Sequence, residues 1–344
     1  MAPNTPLPEG FVSRLPKVEL HLHLEGSVQP ATLRELMRSK AQSASEAGRW
    51  ITEQQQRGYR YATFMEFVEA FKFVVLLLET PQDYALAARR LVEWLAAQNV
   101  KYAEVTLSAG VVLWKRQQLD AVYEAVREAQ LEAEARLGVR VNWIFDAVRQ
   151  FGAEPARQVA QWAARYRSQG VVAFGLGGDE ARGPAEIFPD VYREARDLGL
   201  HTVAHAGETV GAESVRQAVE LLGAERIGHG LAAASSPDVC ALLRDRRIPL
   251  EGCPTSNAAM SLIPRFEDYP LPAFLEAGVI LTLNSDDPAL FDTSIEREFL
   301  RAAESFALSR QQVAGLCENA ARAAFLPAEE KQKLLEEIQQ AASV

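Results

Sequence analysis

Residues 17–26 read Lys17-Val-Glu-Leu-His21-Leu-His23-Leu-Glu25-Gly26, and the rest of the fold can be inferred outward from this stretch. Because the side chains of a β-strand alternate between faces, a strand over Lys17–Leu24 projects His21 and His23 side by side. Two neutral imidazole nitrogens about 2.0–2.1 Å from one cation make half of a zinc site. A strand that carries two exposed or core histidines is the alternative interpretation.

Seven further apolar runs follow this first one, and stretches with helical periodicity separate most of them. The predicted strands are Lys17–Leu24, Val100–Leu107, Val139–Asp146, Val171–Leu176, Leu200–His205, Arg226–His229, Ile248–Glu251 and Val279–Asn284. The predicted helices between them include Leu119–Leu137, Ala153–Gln169, Ile187–Leu198, Ala212–Leu222 and Ser236–Arg246. Eight alternating units predict an α/β fold, a (β/α)8 TIM barrel. A doubly wound open sheet is the alternative, but its typical Gly-x-Gly-x-x-Gly turn is absent after the first strand.

We expect one domain over residues 1–344, because a closed barrel reaches this size and no repeat or linker divides the chain. The connection from residue 30 to residue 98 is unusually long and predicts a helical insertion after strand 1. An apolar stripe at three- and four-residue spacing runs along it: Phe64, Phe67, Val68, Phe71, Val75 and Leu78. This stripe either packs on the barrel or forms a lid that excludes water from a substrate.

Composition excludes several classes of partner. With 36 basic and 46 acidic residues the net charge is −10, which argues against nucleic acid polymers and anionic membranes but not against an uncharged nucleobase or nucleoside. Residues 1–10 lack the basic and apolar regions of a signal peptide, and the longest apolar run, Phe73–Leu78, is too short to span a bilayer. Three widely spaced cysteines fit the reduced thiols of a cytoplasmic protein.

Polar residues with metal-binding or acid–base chemistry stand at the carboxyl ends of the predicted strands, where barrel enzymes keep their catalytic residues. They are His21 and His23 on the first strand, His205 on the fifth, His229 on the sixth, and Asp286 and Asp287 after the eighth. Core packing alone does not explain so many on one face. We therefore predict that they converge at the mouth of the barrel.

Three imidazoles and one carboxylate suit zinc, whereas calcium and magnesium prefer all-oxygen shells. The predicted ligands are His21, His23, His205 and Asp286. No lysine occurs between Lys115 and Lys331, which argues against a second metal bridged by a modified lysine on the fourth strand. We expect one Zn²⁺ per chain, and such an ion lowers the pKa of water toward neutrality.

Three further residues at this face are candidates for catalysis. Glu208 lies three residues past His205 beyond a glycine, so it is a proton shuttle or, alternatively, a carboxylate at a helix start. His229 can stabilise the charge that develops on an activated water. Asp287 can orient a substrate nitrogen or cap the helix that the next proline opens. His201, about 13 Å before His205 at roughly 3.3 Å per residue, is expected at the barrel bottom as a structural residue.

Six motifs occur in order along nearly the whole chain. They are Glu19-Leu-His-Leu-His-Leu-Glu-Gly26, Gly175-Leu-Gly-Gly-Asp-Glu180, His205-Ala-Gly-Glu208, Gly228-His-Gly230, Cys253-Pro-Thr-Ser-Asn257 and Ser285-Asp-Asp-Pro288. The set resembles the adenosine/adenine deaminase family of the amidohydrolase superfamily, as does the ending Phe325-Leu-Pro-Ala-Glu-Glu-Lys331. The resemblance implies a mononuclear zinc hydrolase that replaces a purine 6-amino group with oxygen and releases ammonia.

Carried onto this chain, the resemblance gives the four predicted ligands the same role. It implies that Glu208 passes a proton to the ring nitrogen and that His229 aligns the nucleophile. Asp287 and the backbone of Gly178 would contact the purine, and the carboxylate of Glu25 would contact the sugar.

Three features that bear on the choice of substrate point to different branches of this family. Adenosine-specific members usually carry Asp at the position of Glu25, while Gly177-Gly-Asp-Glu180 resembles the nucleoside type and residues 288–292 lack the Gly-Gly-Tyr of adenine deaminases. A nucleoside with a modified 5′ end, such as 6-aminodeoxyfutalosine, would reconcile these features. The predicted substrate is therefore an adenosine-type nucleoside, either adenosine or such a 5′-modified analogue. The alternatives are an adenine deaminase and a non-catalytic, nucleoside-binding member.

Overall fold

The computed structural model describes residues 7–38 and 44–343, so residues 1–6 of the N-terminal stretch and residues 39–43 of the long connection lie outside the described part. Eight parallel strands stand side by side in chain order. They are β1 Lys17–His23, β2 Val100–Leu107, β3 Arg140–Val148, β4 Val171–Gly177, β5 His201–Ala206, β6 Arg226–His229, β7 Leu250–Gly252 and β8 Leu281–Leu283. The predicted (β/α)8 architecture is confirmed, with strand boundaries within a few residues of those expected.

The gap between β8 and β1 is bridged by residues that follow β8 rather than by a regular ladder. The backbone N–H of Asp286 donates to the carbonyl of His21 (3.1 Å), and the N–H of His23 donates to the carbonyl of Asp286 (2.9 Å). The side-chain oxygen of Asn284 accepts from the N–H of Leu20 (2.9 Å). One predicted metal ligand therefore also closes the barrel, and an open doubly wound sheet is ruled out.

Helices surround the strands and continue past the last one. They are α1 Phe11–Arg14, α2 Pro30–Arg38, α3 Ala44–Gln56, α4 Phe64–Leu77, α5 Pro81–Ala97, α6 Ala109–Trp114, α7 Leu119–Leu137, α8 Ala153–Arg165, α9 Pro189–Asp197, α10 Ala212–Gln217, α11 Pro237–Arg246, α12 Pro254–Ala259, α13 Leu271–Glu276, α14 Pro288–Phe291, α15 Ile295–Ser305, α16 Arg310–Ala323 and α17 Ala328–Ser343. Within the described ranges, no helix combines the length and apolar composition needed to cross a membrane.

In the described part of the long connection after β1 there are four helices, which occupy two different positions. Helix α5 packs along α7 and against β2, so it is the outer-layer helix of the first βα unit. The additional material is therefore α2 to α4. Thr63 caps α4 by accepting from the N–H of Glu66 (3.2 Å), and Thr80 and Asp83 form a capping box at the start of α5. These caps fix where the chain turns back toward the barrel.

Candidate active site

The predicted histidines converge at the carboxyl end of the barrel. The ring centroid of His21 lies 5.3 Å from that of His23, 4.5 Å from that of His205 and 4.9 Å from that of His229. All but His205 are buried, and His205 is half-buried. Four imidazoles thus surround one space, because each lies near the carboxyl end of its strand and points into the barrel.

The carboxylate of Asp286 completes this group. Its Oδ1 atom lies 3.4 Å from Nε2 of His21 and 3.3 Å from Nε2 of His23, while its Oδ2 accepts from the hydroxyl of Ser256 (2.7 Å). The backbone of Asp286 is in the left-handed region, with φ of 64°, which is uncommon outside glycine and typical of functional positions. The sharp turn aims the carboxylate into the barrel mouth.

Several donor atoms fit a metal ion. Atoms from His21, His205, His229 and Asp286 lie within 4.8 Å of one another, as do atoms from His23, Asp286 and Asp287. The Nε2 atom of His21 is buried and has no hydrogen-bond partner, while its Nδ1 lies 2.8 Å from Oε2 of Glu251. Such an outer-shell carboxylate fixes the imidazole tautomer that leaves Nε2 for a metal. The residues present therefore fit a borderline-soft divalent cation.

The surroundings of the cluster shift the pKa values of its histidines in opposite directions. Burial opposes a charge on His21, but the carboxylates of Asp286 and Glu251 outweigh it and raise the pKa of His21 to about 10. For His205, burial and the neighbouring histidines hold the pKa well below its usual range, so its imidazole is neutral and able to bind a metal.

Glu208 is a buried acid that faces this cluster. Its Oε1 lies 3.5 Å from Nε2 of His229, and burial together with the carboxylate of Asp286 raises its pKa well above the usual range. The alternative role at a helix start does not apply, because α10 begins at Ala212 with Gly211 at its N-cap. Burial and the neighbouring carboxylate therefore favour the protonated form of Glu208.

Glu180 shapes the loop that carries Glu208, and sequence reasoning missed it. The carboxylate accepts from the backbone N–H groups of Gly207 (2.8 Å), Glu208 (2.8 Å) and Thr209 (2.9 Å), and from the hydroxyl of Ser214 (2.6 Å). Burial opposes its ionisation, but these hydrogen bonds hold its pKa below the usual value. Its position in the quoted Gly175–Glu180 motif was the one signal available.

Asp287 stands at the N-cap of α14, yet its side chain makes no capping hydrogen bond. Its Oδ1 is buried without a partner, and burial and the Asp286 carboxylate raise its pKa well above the usual range. Asp287 therefore occupies the N-cap position that the alternative interpretation expected, but its side chain does not cap the helix. A Cβ atom on Gly26 would come within 1.7 Å of that Oδ1, which explains the glycine in the first motif.

One cavity of about 250 Å³ opens onto these groups. Its polar end is lined by His23, Asp146, Gly178, His205, Glu208, His229, Asp286 and Asp287. Five of the six residues of the predicted apolar stripe lie on helix α4 and line this cavity. The sixth, Leu78, is buried in the core. Gly178 has φ of 96°, and a Cβ there would come within 2.5 Å of Oε1 of Gln150.

Glu25 lies behind the wall of this cavity rather than in its lining. One carboxylate oxygen accepts from the N–H of Ser108 (3.0 Å), a residue that does line the cavity, and the other is buried without a partner. His201 is the first residue of β5, at the barrel bottom as expected, and pairs with Glu225 (2.8 Å).

A (β/α)8 barrel with a cluster of histidine and aspartate side chains at its strand ends is typical of metal-dependent hydrolases. Residues 16–341 match the family described as adenosine deaminase. An aminodeoxyfutalosine deaminase of Streptomyces avermitilis is 37% identical over 330 residues, covering 95% of this chain and 91% of that one. An adenine deaminase of Mesorhizobium japonicum is 36% identical, with 95% and 99% covered. The chain belongs to the adenosine deaminase family, within the amidohydrolase superfamily.

A solved structure extends this comparison to the metal. An amidohydrolase from Burkhoderia ambifaria with bound Zn superposes with a TM-score of 0.87 at 25% identity, covering 99% of this chain and 96% of that one. The relatives are thus deaminases of different substrates, and one structural neighbour holds zinc.

Proposed function

We propose that this protein is a zinc-dependent hydrolytic deaminase that converts the 6-amino group of an adenosine-type purine nucleoside to a 6-oxo group. The observation that carries the proposal is the placement of Glu208 and Asp287. These two buried carboxyl groups with raised pKa values line one cavity together with the histidine cluster. A purine ring presents nitrogen acceptors, and protonated carboxyl groups are suited to donate to them.

We assign the metal to His21, His23, His205 and Asp286. The two Nε2 atoms of His21 and His23 both face Oδ1 of Asp286, whereas Nε2 of His229 lies on the side of Oδ2 (3.9 Å) and of Glu208. A zinc ion bound there would supply Lewis acidity for the activation of water. His229 is left for a different task, which is to hold and orient the attacking water by a hydrogen bond.

The remaining steps are proton movements by this chain's own residues. Water adds across the C6–N1 bond, so that its oxygen bonds to C6 while Glu208 gives a proton to N1. Glu208 regains a proton from the attacking water. The bond from C6 to the amino nitrogen then breaks, and that nitrogen takes the remaining water proton from the hydroxyl group on C6 and leaves as ammonia, so that the oxygen stays as the 6-oxo group. Asp287 and the backbone N–H of Gly178 would hold the remaining ring nitrogens, which keeps C6 oriented toward the cluster.

The substitution Glu208→Gln tests this assignment. The amide cannot deliver a proton, so we expect kcat for ammonia release to fall by about two orders of magnitude or more while zinc content stays at one per chain. His205→Ala is the converse variant and should lose zinc. Activity of Glu208→Gln close to that of the wild type would contradict the proton-shuttle role.

Adenine is the second candidate substrate, and Glu25 is the residue that favours it, because its position carries Asp in adenosine-specific members. The experiment that distinguishes the two substrates compares kcat/KM for adenine, adenosine and 5′-modified adenosines on the wild type and on Glu25→Asp. A wild type that prefers adenine, with no gain for adenosine in the variant, would contradict the nucleoside proposal. Absence of both zinc and ammonia release would instead indicate a non-catalytic binding protein.

A further inference from the structure

Helix α12, which carries most of the motif Cys253-Pro-Thr-Ser-Asn257, contacts the histidine cluster through two consecutive side chains. The hydroxyl of Ser256 donates to Oδ2 of Asp286 (2.7 Å), and Nδ2 of Asn257 lies 3.3 Å from Nδ1 of His229. Both side chains are buried, and neither belongs to the lining of the cavity. They therefore act on the site from behind it, without contact to a substrate.

The backbone of Asn257 is held on both sides, which fixes the point from which its side chain starts. Its N–H donates to the carbonyl of Cys253 (3.0 Å), and its carbonyl accepts from the N–H groups of Leu262 (2.9 Å) and Ile263 (3.3 Å). The amide group thus reaches Nδ1 of His229 from an anchored position.

The contact between Asn257 and His229 decides which ring nitrogen carries the proton. An amide nitrogen can only donate, so it forms a hydrogen bond with Nδ1 only if Nδ1 carries no proton. Across the ring, Nε2 faces Oε1 of Glu208 (3.5 Å) and Oδ2 of Asp286 (3.9 Å). The Oδ1 atom of Asn257 is buried without a partner and does not choose between the two orientations of the amide. The carboxyl oxygens do, because an N–H at Nε2 can donate to them whereas a lone pair would face the Asp286 carboxylate.

We propose that Asn257 is a positioning residue that keeps the proton of His229 on Nε2. This inference rests on the proposed function, in which His229 orients the attacking water. With its proton on Nε2, the imidazole donates a hydrogen bond to the oxygen of that water and stabilises the negative charge that develops there. It cannot take a proton from the water, so that proton goes to Glu208, which has given its own to N1. Both tautomers are uncharged, so the inference concerns the place of the proton and not the titration of the ring.

The kinetic test compares Asn257→Asp with Asn257→Leu, two variants of similar side-chain size. The carboxylate of Asn257→Asp accepts from Nδ1 and draws the ring proton there, whereas Asn257→Leu leaves neither tautomer favoured. We expect kcat for ammonia release from adenosine to fall about a hundredfold to a thousandfold in Asn257→Asp and about tenfold in Asn257→Leu, with KM within about threefold of the wild type. A residue that only supports the fold would change stability and leave kcat of the folded, zinc-loaded enzyme unchanged.

Nitrogen-15 NMR of the histidine side chains measures the tautomer without a substrate, because protonated and unprotonated ring nitrogens resonate far apart. In the zinc-loaded wild type we expect His229 to carry its proton on Nε2, in Asn257→Asp on Nδ1, and in Asn257→Leu on both in a mixture. The variant His229→Gln assigns the signals. Asn319→Asp is the matched control, since its amide donates to the carbonyl of Leu281 on β8 (3.0 Å), and it should leave the signals and kcat unchanged.

The failures of the two proposals differ. A proton on Nδ1 in the wild type, a pure Nε2 tautomer in Asn257→Leu, or a kcat in Asn257→Asp no lower than in Asn257→Leu would contradict the positioning role and leave the deaminase function standing. If Asn257→Asp does not fold, the wild type and Asn257→Leu still decide the question. If the wild type releases no ammonia from adenine, adenosine or its 5′-modified analogues, the proposed function is wrong, and the NMR signals alone decide the role of Asn257.

Discussion

At the scale of single residues, two glycines of the site are explained by the side chains that occupy the space beside them. A Cβ atom on Gly228 would come within 2.6 Å of Cε1 of His21, and one on Gly26 would overlap the carboxylate of Asp287. Neither glycine has a positive φ, so the requirement is one of space and not of backbone conformation. The motif glycines therefore allow functional side chains to lie against the backbone.

This geometry predicts the effect of Gly228→Ala. The added methyl group must displace the imidazole of His21, so we expect at least about tenfold weaker zinc binding with little loss of secondary structure. Competition with a chelator measures the affinity, and circular dichroism checks the fold. Gly315→Ala in α16 is the control, since a Cβ there meets no atom within 4 Å. Wild-type affinity in the Gly228 variant would contradict the close approach.

The protonation of Glu208 predicts a pH dependence. Burial and the Asp286 carboxylate raise its pKa well above the usual range and so favour the protonated form. The proton is present below that raised pKa and lost above it, so kcat/KM should be insensitive to this group at lower pH and fall as pH rises through its pKa. A pH profile of the wild type measures this limb. Activity that keeps rising to strongly alkaline pH would contradict the role of a proton donor.

At the scale of elements, the sequence predicted most of the barrel because each strand is a short apolar run between helical periods. Helix Leu119–Leu137 has the predicted limits, whereas the predicted helix Ala153–Gln169 ends as an α-helix at Arg165 and continues as a single 3₁₀ turn. Ends of this kind depend on local capping and not on apolar periodicity. The bridge from β8 to β1 was not predictable either, because it uses the backbone of Asp286 and the side chain of Asn284, both beyond the end of β8, in place of a regular ladder.

In the insertion, apolar periodicity predicts a helix but does not show what the apolar face of that helix contacts. The apolar stripe of α4 predicted a helix, but the pattern is the same for packing on a barrel and for lining a cavity. The structure divides these roles within one helix, since Phe64 and Phe67 line the cavity while Val74 is fully packed in the core. Whether α4 moves as a lid stays a prediction.

At the scale of the whole molecule, a chain of buried charges connects the bottom of the barrel to the candidate metal centre. Arg226 donates to Glu104 (2.6 Å) and to Glu251 (2.6 Å), and Glu251 in turn contacts Nδ1 of His21 (2.8 Å). The guanidinium also lies 3.9 Å from the ring centroid of Phe325, beyond α16. Sequence reasoning missed these residues because their pairing depends on the strand register, which apolar periodicity does not encode.

Because these buried charges hold His21 in place, we expect Arg226→Met to lower both the stability of the protein and its affinity for zinc. The substitution leaves the carboxylates of Glu104 and Glu251 buried without their cation, so we expect the free energy of unfolding to fall by about 3–5 kcal/mol. Glu251 would no longer be held beside His21, and zinc affinity should fall about 10- to 100-fold. Denaturant unfolding of the zinc-free protein and chelator competition measure the two effects separately.

Two further variants separate positioning from stability. Arg226→Lys keeps a cation but not the forked geometry that reaches both carboxylates, so it should fold and still bind zinc more weakly than the wild type. Arg265→Met removes an exposed ion pair with Asp268 and should change neither quantity measurably. If Arg226→Lys and Arg226→Met both keep the zinc affinity of the wild type, whatever their stability, the buried charges stabilise the barrel but do not affect metal binding. A loss in Arg226→Lys at near-normal stability would instead show that residues at the closed end of the barrel set how firmly its open end holds the metal.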